Sequence, residues 1–325
     1  MKAAYIEAAG GPEAFKYGDL PDPVAGAGEV LIRVAATTVN HLDTVVRSGI
    51  RPYLKITPPH ILGSEASGEI VAVGPGVKGL AVGDRVSART KTGSYAELAI
   101  AEAGNVTKLP DNISLEDAAG FAATGATAYR LVGRRANLQP GESVLITAGA
   151  SGTASMMVQI AKAAGYYVIA TAGGTRKRDL VMGLGADATI DHYEDDIAAR
   201  VLELTGGRGV DTAIDAVASQ PLFEAVMNSL RPAGRLVIYG NMVTTQLTFN
   251  VRTLFSKGIE IVGGQGGDAG QLAVDRTADN IAFMRLAARG QIKMLRDRVL
   301  PISEAAAAHA AMEAHETAGK IVLTA

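Results

Sequence analysis

Six small residues, Gly149-Ala150-Ser151-Gly152-Thr153-Ala154, follow the apolar run VLITA and precede the helical pattern SMMVQIAKAAG. A strand, a tight turn and a helix start make a site for a pyrophosphate. The turn lets the backbone come close, and the first helical turn aims its amides at the anion. The ideal pattern has glycine at the first, third and sixth positions. Gly149 keeps the first, Ser151 stands at the second and Ala154 at the third. Alanine still permits close helix packing. Serine is the departure, offset by Gly152 beside it and by the Ser151 and Thr153 hydroxyls, which can bond phosphate oxygens. The next strand pattern, YYVIATA, runs into Gly173-Gly174 with no acidic residue to hold a ribose 2′-hydroxyl; Arg176, Lys177 and Arg178 follow. Room at Gly173 and positive charge beyond it suit a 2′-phosphate. Cations in a first helical turn oppose the helix dipole unless an anion is bound. The stretch therefore predicts NADP(H) rather than NAD(H), the alternative being a solvated basic helix start.

The elements that must position these residues read as two classes. The first 110 or so residues are mostly β: EVLIRVAATTVN, ASGEIVAVGPGV, LAVGDRVSA and GSYAELAIA are strand-like runs punctuated by glycine and proline, a pattern of barrel-like domains. At Ser114 the character changes. Ser114 with Asp117 three residues on resembles a capping box and opens a predicted helix, SLEDAAGFAATGATAYRLV. Strands and helices then alternate through ESVLITA, YYVIATA, ATIDH, VDTAIDAV, GRLVIYG and IEIVGG, which predicts a parallel sheet covered on both faces. After a helix near 277–289 come a strand, a helix opened by Ser303 and a final strand after Gly319, a tail expected to return to the first domain. The expected division is 1–122, completed by 291–325, and 123–290. The low-charge stretch 263–273 reads as a loop or an oligomer contact.

Composition narrows the function classes. The 325 residues are enough for about two domains. A net charge of −2 gives no electrostatic footprint for nucleic acid or an anionic membrane. Cysteine is absent, which removes disulfides, thiolate zinc sites and thiol catalysis. Residues 144–161 carry no charge, yet Thr147, Ser151, Thr153, Ser155 and Gln159 mark them as buried strand, turn and helix rather than a membrane span. The N-terminal stretch lacks a hydrophobic run long enough for a signal peptide, and a cytoplasmic location is expected.

Read together, VNHLDTVVRSG, PPHILGSEASGEIVAVGPGVKGLAVGDRV, GSYAE, TGATAY, VQIAKAAG, GLGADATID, GRGVDTAIDAV, GRLVIYGN and the closing GKIVL resemble the medium-chain dehydrogenase/reductase superfamily over nearly the whole chain. Within it the chain resembles the zinc-free NADPH:quinone oxidoreductase, or zeta-crystallin-like, branch. The resemblance implies an α/β protein: a GroES-like β-barrel-type catalytic domain and a doubly wound Rossmann domain, associated as a homodimer. Zinc members carry a cysteine near position 40 and Gly-His-Glu where this chain has Gly63-Ser64-Glu65; here Asn40 and Ser64 stand instead, and the four-cysteine lobe is missing. His41, Asp43, His60 and Glu65 remain as donors, in a spacing that matches no metal site, and no metal is expected.

Carried over by position, the resemblance puts Asn40 and Thr127 beside the nicotinamide and Gly149, Ala150, Ser151, Gly152, Thr153 and Ala154 around the pyrophosphate. Gly173, Arg176, Lys177 and His192 would surround the adenosine phosphate, with His192 where many relatives have tyrosine. Val217, Gly240 and Asn241 would line the path to the nicotinamide ring. The implied chemistry is hydride delivery to a quinone, with the oxyanion met by the Asn40 amide and the Tyr53 hydroxyl, aided by Thr127. Solvent is the other proton source, and Asp43 reads as a structural residue rather than a base. Three other readings stay open: reduction of the activated double bond of an enone or 2-alkenal, an NADPH-binding sensor or RNA-binding relative with little catalysis, and a zinc alcohol dehydrogenase.

Overall fold

A computed structural model describes residues 1–51, 55–264 and 269–325. The chain forms two compact units, one of Met1–Ala126, Phe283–Ala288 and Lys293–Ala325, the other of Thr127–Ala282 and Arg289–Ile292.

The first unit begins with β1 (Lys2–Ile6), β2 (Phe15–Asp19) and β3 (Glu29–Thr38). Then come α1 (His41–Ser48), β4 (His60–Ile61), β5 (Glu65–Val73), β6 (Arg85–Arg89), β7 (Leu98–Glu102), β8 (Val106–Lys108) and the short α2 (Leu115–Ala118). β3 organises this unit. It pairs antiparallel with β5 along most of its length and with β7 through Glu29–Arg33. Its first half alternates, with Val30, Ile32 and Val34 buried and Arg33 exposed, the mark of a strand with one face on a core. Its last three residues, Ala36, Thr37 and Thr38, are all buried, so two hydroxyls enter the interior and must find partners there.

The expected single helix from Ser114 is interrupted. Ser114 does cap α2, its Oγ accepting from Asp117 N at 3.1 Å. Beyond it, Phe121–Gly125 forms a wider π turn closed by Gly125 N to Gly120 O, before α3 (Ala126–Arg130) and a second such turn at Leu131–Arg135. The cause is local. The amides of Ala123 and Thr124 donate to the Glu65 carboxylate, at 2.9 and 3.1 Å, which draws that turn toward a side chain.

The second unit carries β9 (Ser143–Ile146), α4 (Gly152–Ala163), β10 (Tyr167–Thr171), α5 (Gly174–Gly183), β11 (Ala188–Ile190) and α6 (Ile197–Leu204). These are followed by β12 (Val210–Asp215), α7 (Gln220–Ser229), β13 (Leu230–Ile238), α8 (Val251–Lys257), β14 (Glu260–Gly263) and α9 (Ala269–Ala288), whose last residues belong to the first unit. The uncharged run 144–161 is thus strand, turn and helix, and no helix among the described residues is long and apolar enough to cross a membrane. The strands are parallel in the order β11-β10-β9-β12-β13-β14. β9 and β12 are buried along their whole length, as central strands covered on both faces must be. The order reverses between β9 and β12, and ligands of such sheets bind beyond the carboxyl ends of the strands at that point. IEIVGG, as β14, is the sheet's edge. Of the stretch 263–273, residues 265–268 lie outside the described residues.

The chain ends with β15 (Arg296–Pro301), α10 (Ala305–Glu313) and β16 (Lys320–Thr324). β16 pairs antiparallel with the end of β3, Val322 opposite Thr38, so the tail does return to the first unit. Ser303 does not open α10. Pro301 leads into a 3-10 turn over Ile302–Glu304 that contains Ser303, and α10 starts at Ala305 with Glu304 at its N-cap.

Candidate active site

The buried end of β3 fixes the first half of the site. Thr37 Oγ1 donates to Glu65 O at 2.6 Å, and Thr38 Oγ1 to Glu65 Oε1 at 2.8 Å. Asn40 then starts α1 in an extended conformation. Its backbone N–H donates to Asp43 Oδ2 at 2.8 Å, and Asp43 N returns a bond to Asn40 O. With the helix start served by backbone and Asp43, the Asn40 carboxamide is available elsewhere. Its Nδ2 donates to Glu65 Oε1 at 3.1 Å, and its Oδ1 accepts from Lys320 Nζ at 2.7 Å and from Thr124 Oγ1 at 3.2 Å.

Glu65 is the hub. It is fully buried, yet its carboxylate meets Thr38, Asn40 and Thr124 side chains on Oε1 and the Ala123 and Thr124 amides on Oε2. Lys320 Nζ lies 3.5 Å from Oε1, also within 3.1 Å of Thr124 Oγ1 and 3.3 Å of Val39 O. Burial alone would push the Glu65 carboxyl up. The Lys320 charge and the Thr124 and Asn40 donors outweigh it and hold the group below the usual glutamate range. Burial pulls the Lys320 amine down, against Glu65 and Asp43. Every neighbour of Nζ offers a lone pair, which is the environment of an ammonium. A buried pair of this kind is held by geometry: removing one partner alone strands a charge.

A second buried layer supports α1. Tyr95 Oη donates to Asp43 Oδ2 and pairs with His309 Nε2, both at 3.2 Å. Because the tyrosine proton goes to the carboxylate, His309 donates from Nε2, and its Nδ1, which has no partner among the described residues, is only a lone pair. Phe15 packs edge-on to the imidazole at 4.8 Å between centroids. Burial pushes the Asp43 carboxyl up to about 6 despite the Asn40 amide and Lys320. Burial, then the Arg47 charge, brings His309 down to about 3, so it is neutral.

The other predicted residues follow the carboxyl ends of the parallel strands in the second unit. Gly149 N donates to Thr171 O at 2.7 Å, and a Cβ on Gly149 would fall 2.9 Å from Ala170 Cβ. The turn therefore needs a glycine to lie against β10, while Ala148 before it takes a positive φ of 51°. Ser151 caps α4, its Oγ accepting from Ala154 N at 3.4 Å. That bond uses a lone pair of Ser151 Oγ and leaves its O–H to donate. The Gly152 and Thr153 amides lie in the first turn, where a helix has no acceptors of its own. Ala150 and Ala154 are buried in the same turn. At the end of β12, Asp215 accepts from Thr147 Oγ1 and from the amides of Val217 and Ala218. Gly240, after β13, lies so close to this loop that a Cβ would meet Ala216 O at 2.1 Å. Asn241 follows it.

Gly173, Arg176 and Lys177 lie at the start of α5. The space a Gly173 side chain would fill is taken by the Tyr193 ring, with His192 Nε2 beside it; the two rings are 4.4 Å apart. A glycine is therefore required at 173 by the chain's own Tyr193. Asp191 also stands there, accepting from the Gly174 and Tyr193 amides, with Arg178 at 3.5 Å. Thr127 is on α3 in the second unit, and Tyr53 lies outside the described residues. His60 is in β4, opposite Ile6. Sequence reasoning missed Thr38, Thr124 and Lys320 and treated Glu65 as a spare ligand. The available signal was the lysine in KIVLT, a charge opening an otherwise apolar strand.

Two family models match the chain, that of the alcohol dehydrogenase GroES-like domain over residues 26–111 and that of the zinc-binding dehydrogenase over 152–282. The chain is 34% identical to a quinone oxidoreductase of Pseudomonas aeruginosa over 327 residues, covering 99% of each. It is 33% identical to a 2-haloacrylate reductase of a Burkholderia species, covering 99% of this chain and 98% of that one. Among solved structures, a mycobacterial protein complexed with NADPH superimposes with a TM-score of 0.90 at 32% identity, each chain covered in full. With a GroES-like domain, a Rossmann domain and relatives matched from end to end, the chain belongs to the medium-chain dehydrogenase/reductase superfamily, among its quinone-oxidoreductase-like members.

Proposed function

We propose that the protein reduces quinones with NADPH by direct hydride transfer, without zinc. The observation that carries the reading is the gathering of the 149–154 turn, Gly173, His192, Val217 and Gly240 at the carboxyl edge of one parallel sheet, beside its reversal point. Bound NADPH supplies a hydride, a proton with two electrons, and is left as NADP⁺. The glycine turn and the α4 amides fit its pyrophosphate. Arg176, Lys177 and His192 take the adenosine phosphate, and Val217, Gly240 and Asn241 flank the nicotinamide end. The acceptor gains negative charge on oxygen as the hydride arrives. Asn40, with Thr127 and Tyr53, meets that charge with hydrogen-bond donors, and Tyr53 or solvent delivers the proton.

A tetrahedral zinc does not fit the donor set. Asn40 is an amide, Ser64 a hydroxyl, and Glu65 already meets an ammonium, three side-chain donors and two backbone amides. In this reading 1–122 with 291–325 is the catalytic domain and 123–290 the dinucleotide domain. The protein acts as a cytoplasmic homodimer, with β14 as the pairing edge. A second reading, reduction of an activated carbon–carbon double bond, is favoured by the 2-haloacrylate reductase among the relatives.

The test is NADPH oxidation by purified, metal-depleted protein, with a quinone and a 2-alkenal in parallel and NADH as control. Quinone turnover with NADPH preference is expected; turnover of the alkenal alone moves the protein to the double-bond reductases. Tyr53→Phe at unchanged turnover removes Tyr53 from the chemistry.

A further inference from the structure

We propose that Lys320 is a positioning residue that fixes and polarises the Asn40 carboxamide for the developing oxyanion. The inference rests on the hydride-transfer reading above. Its evidence lies wholly within the first unit.

An asparagine amide has two nearly isosteric orientations, and only its partners select between them. Here Oδ1 faces the Lys320 ammonium at 2.7 Å and Nδ2 faces the Glu65 carboxylate at 3.1 Å. The flipped amide would set –NH2 against –NH3⁺ and carbonyl oxygen against carboxylate. Both contacts would then be repulsive, so the ion pair imposes a single orientation. Of the two Nδ2 hydrogens, Glu65 takes one, and among the described residues no acceptor takes the other. Asn40 is half-buried, whereas Lys320 and Glu65 are sealed in. The amide is the part of the network that an acceptor can reach.

The ammonium does more than orient. A cation on Oδ1 withdraws electron density through the conjugated amide and makes the remaining N–H a stronger donor. That donor stands ready at fixed geometry before charge develops, which is the condition for electrostatic catalysis. Thr124 completes the lock: its hydroxyl lies within hydrogen-bond distance of Lys320, Glu65 and Asn40.

The decisive experiment is steady-state kinetics on the full-length protein carrying Lys320→Met together with Glu65→Gln. The double change removes both charges, so neither is stranded. NADPH binding by fluorescence titration and thermal unfolding are measured alongside. The proposal expects kcat for quinone reduction to fall at least about tenfold, in the range of one lost preorganised donor. The NADPH dissociation constant and the quinone KM should stay within about threefold, because neither ligand's ground state depends on the strengthened donor. A double variant with kcat within about twofold of wild type overturns the proposal. So does one that unfolds, or that loses NADPH affinity in step with kcat, since Lys320 would then serve the fold alone. Wild-type protein that binds NADPH but does not oxidise it when a quinone is supplied refutes the hydride-transfer reading itself, and does so before any variant is made.

Discussion

His309 makes the stability of this protein acid-sensitive in a calculable way. The imidazole is buried against Phe15 and Tyr95, and its pKa falls from 6.5 to about 3. An unfolded chain takes up a proton at this residue below 6.5, while the folded chain refuses it until about 3. The unfolded state therefore binds more protons across that interval, and stability falls as pH falls through it. Going from pH 7 to about 4.5, the loss is about 3 kcal/mol. Asp43 works in the opposite sense: its folded pKa of about 6 is above its ordinary value, so the native state gains from protonation over part of the same range. Total stability is then a poor readout, and a difference is the right one. His309→Gln keeps a donor for Tyr95 and does not titrate. Urea denaturation of both proteins at several pH values should show the wild type losing about 3 kcal/mol more than the variant over this range. Parallel pH dependences would refute the argument, because they would mean that the imidazole titrates alike in the folded and unfolded chains.

Three further outcomes are expected. Gly240→Ala places a methyl 2.1 Å from Ala216 O; the loop must move, and thermal unfolding should report a loss of about 2 kcal/mol or more together with weaker NADPH binding. Arg176→Glu with Lys177→Glu should raise the NADPH dissociation constant about tenfold or more and leave NADH nearly unaffected, as fluorescence titration with each cofactor will show. Phe283→Ala removes a fully buried ring that meets Phe121 edge-on at 5.0 Å; denaturant unfolding should show a cost of about 3–5 kcal/mol.

The features legible in the sequence were those with a local signature. Alternating strand and helix patterns predicted the parallel sheet, and a glycine after a buried strand marked the turn at 149. Ser114 announced its cap because an N-cap bond spans only three residues. Features assembled across long separations were not legible. Glu65 reaches Lys320 over 255 residues, and nothing in either segment names the other. The break in the helix after Ala118 was hidden for the same reason, since it answers to a carboxylate on β5. Ser303 misled because a 3-10 turn accepts the same polar residues as a helix start. At Gly173 the sequence shows small size but not its packing partner, the chain's own Tyr193, which a side chain there would meet.

The pairing of β16 with β3 also ties the first unit to the end of the chain. The second unit takes nearly all its residues from 127–282, with a short return at 289–292, and its sheet is built from strands of that one stretch. The first unit is complete only with residues 293–325, which give β3 its third neighbour, beside β5 and β7, and Glu65 its counterion. A chain without these last residues would hold a carboxylate meant for a sealed interior without its cation, which costs stability. The unit first in sequence is thus completed by the last residues of the chain, and Lys320 is the residue that brings its buried carboxylate a counterion.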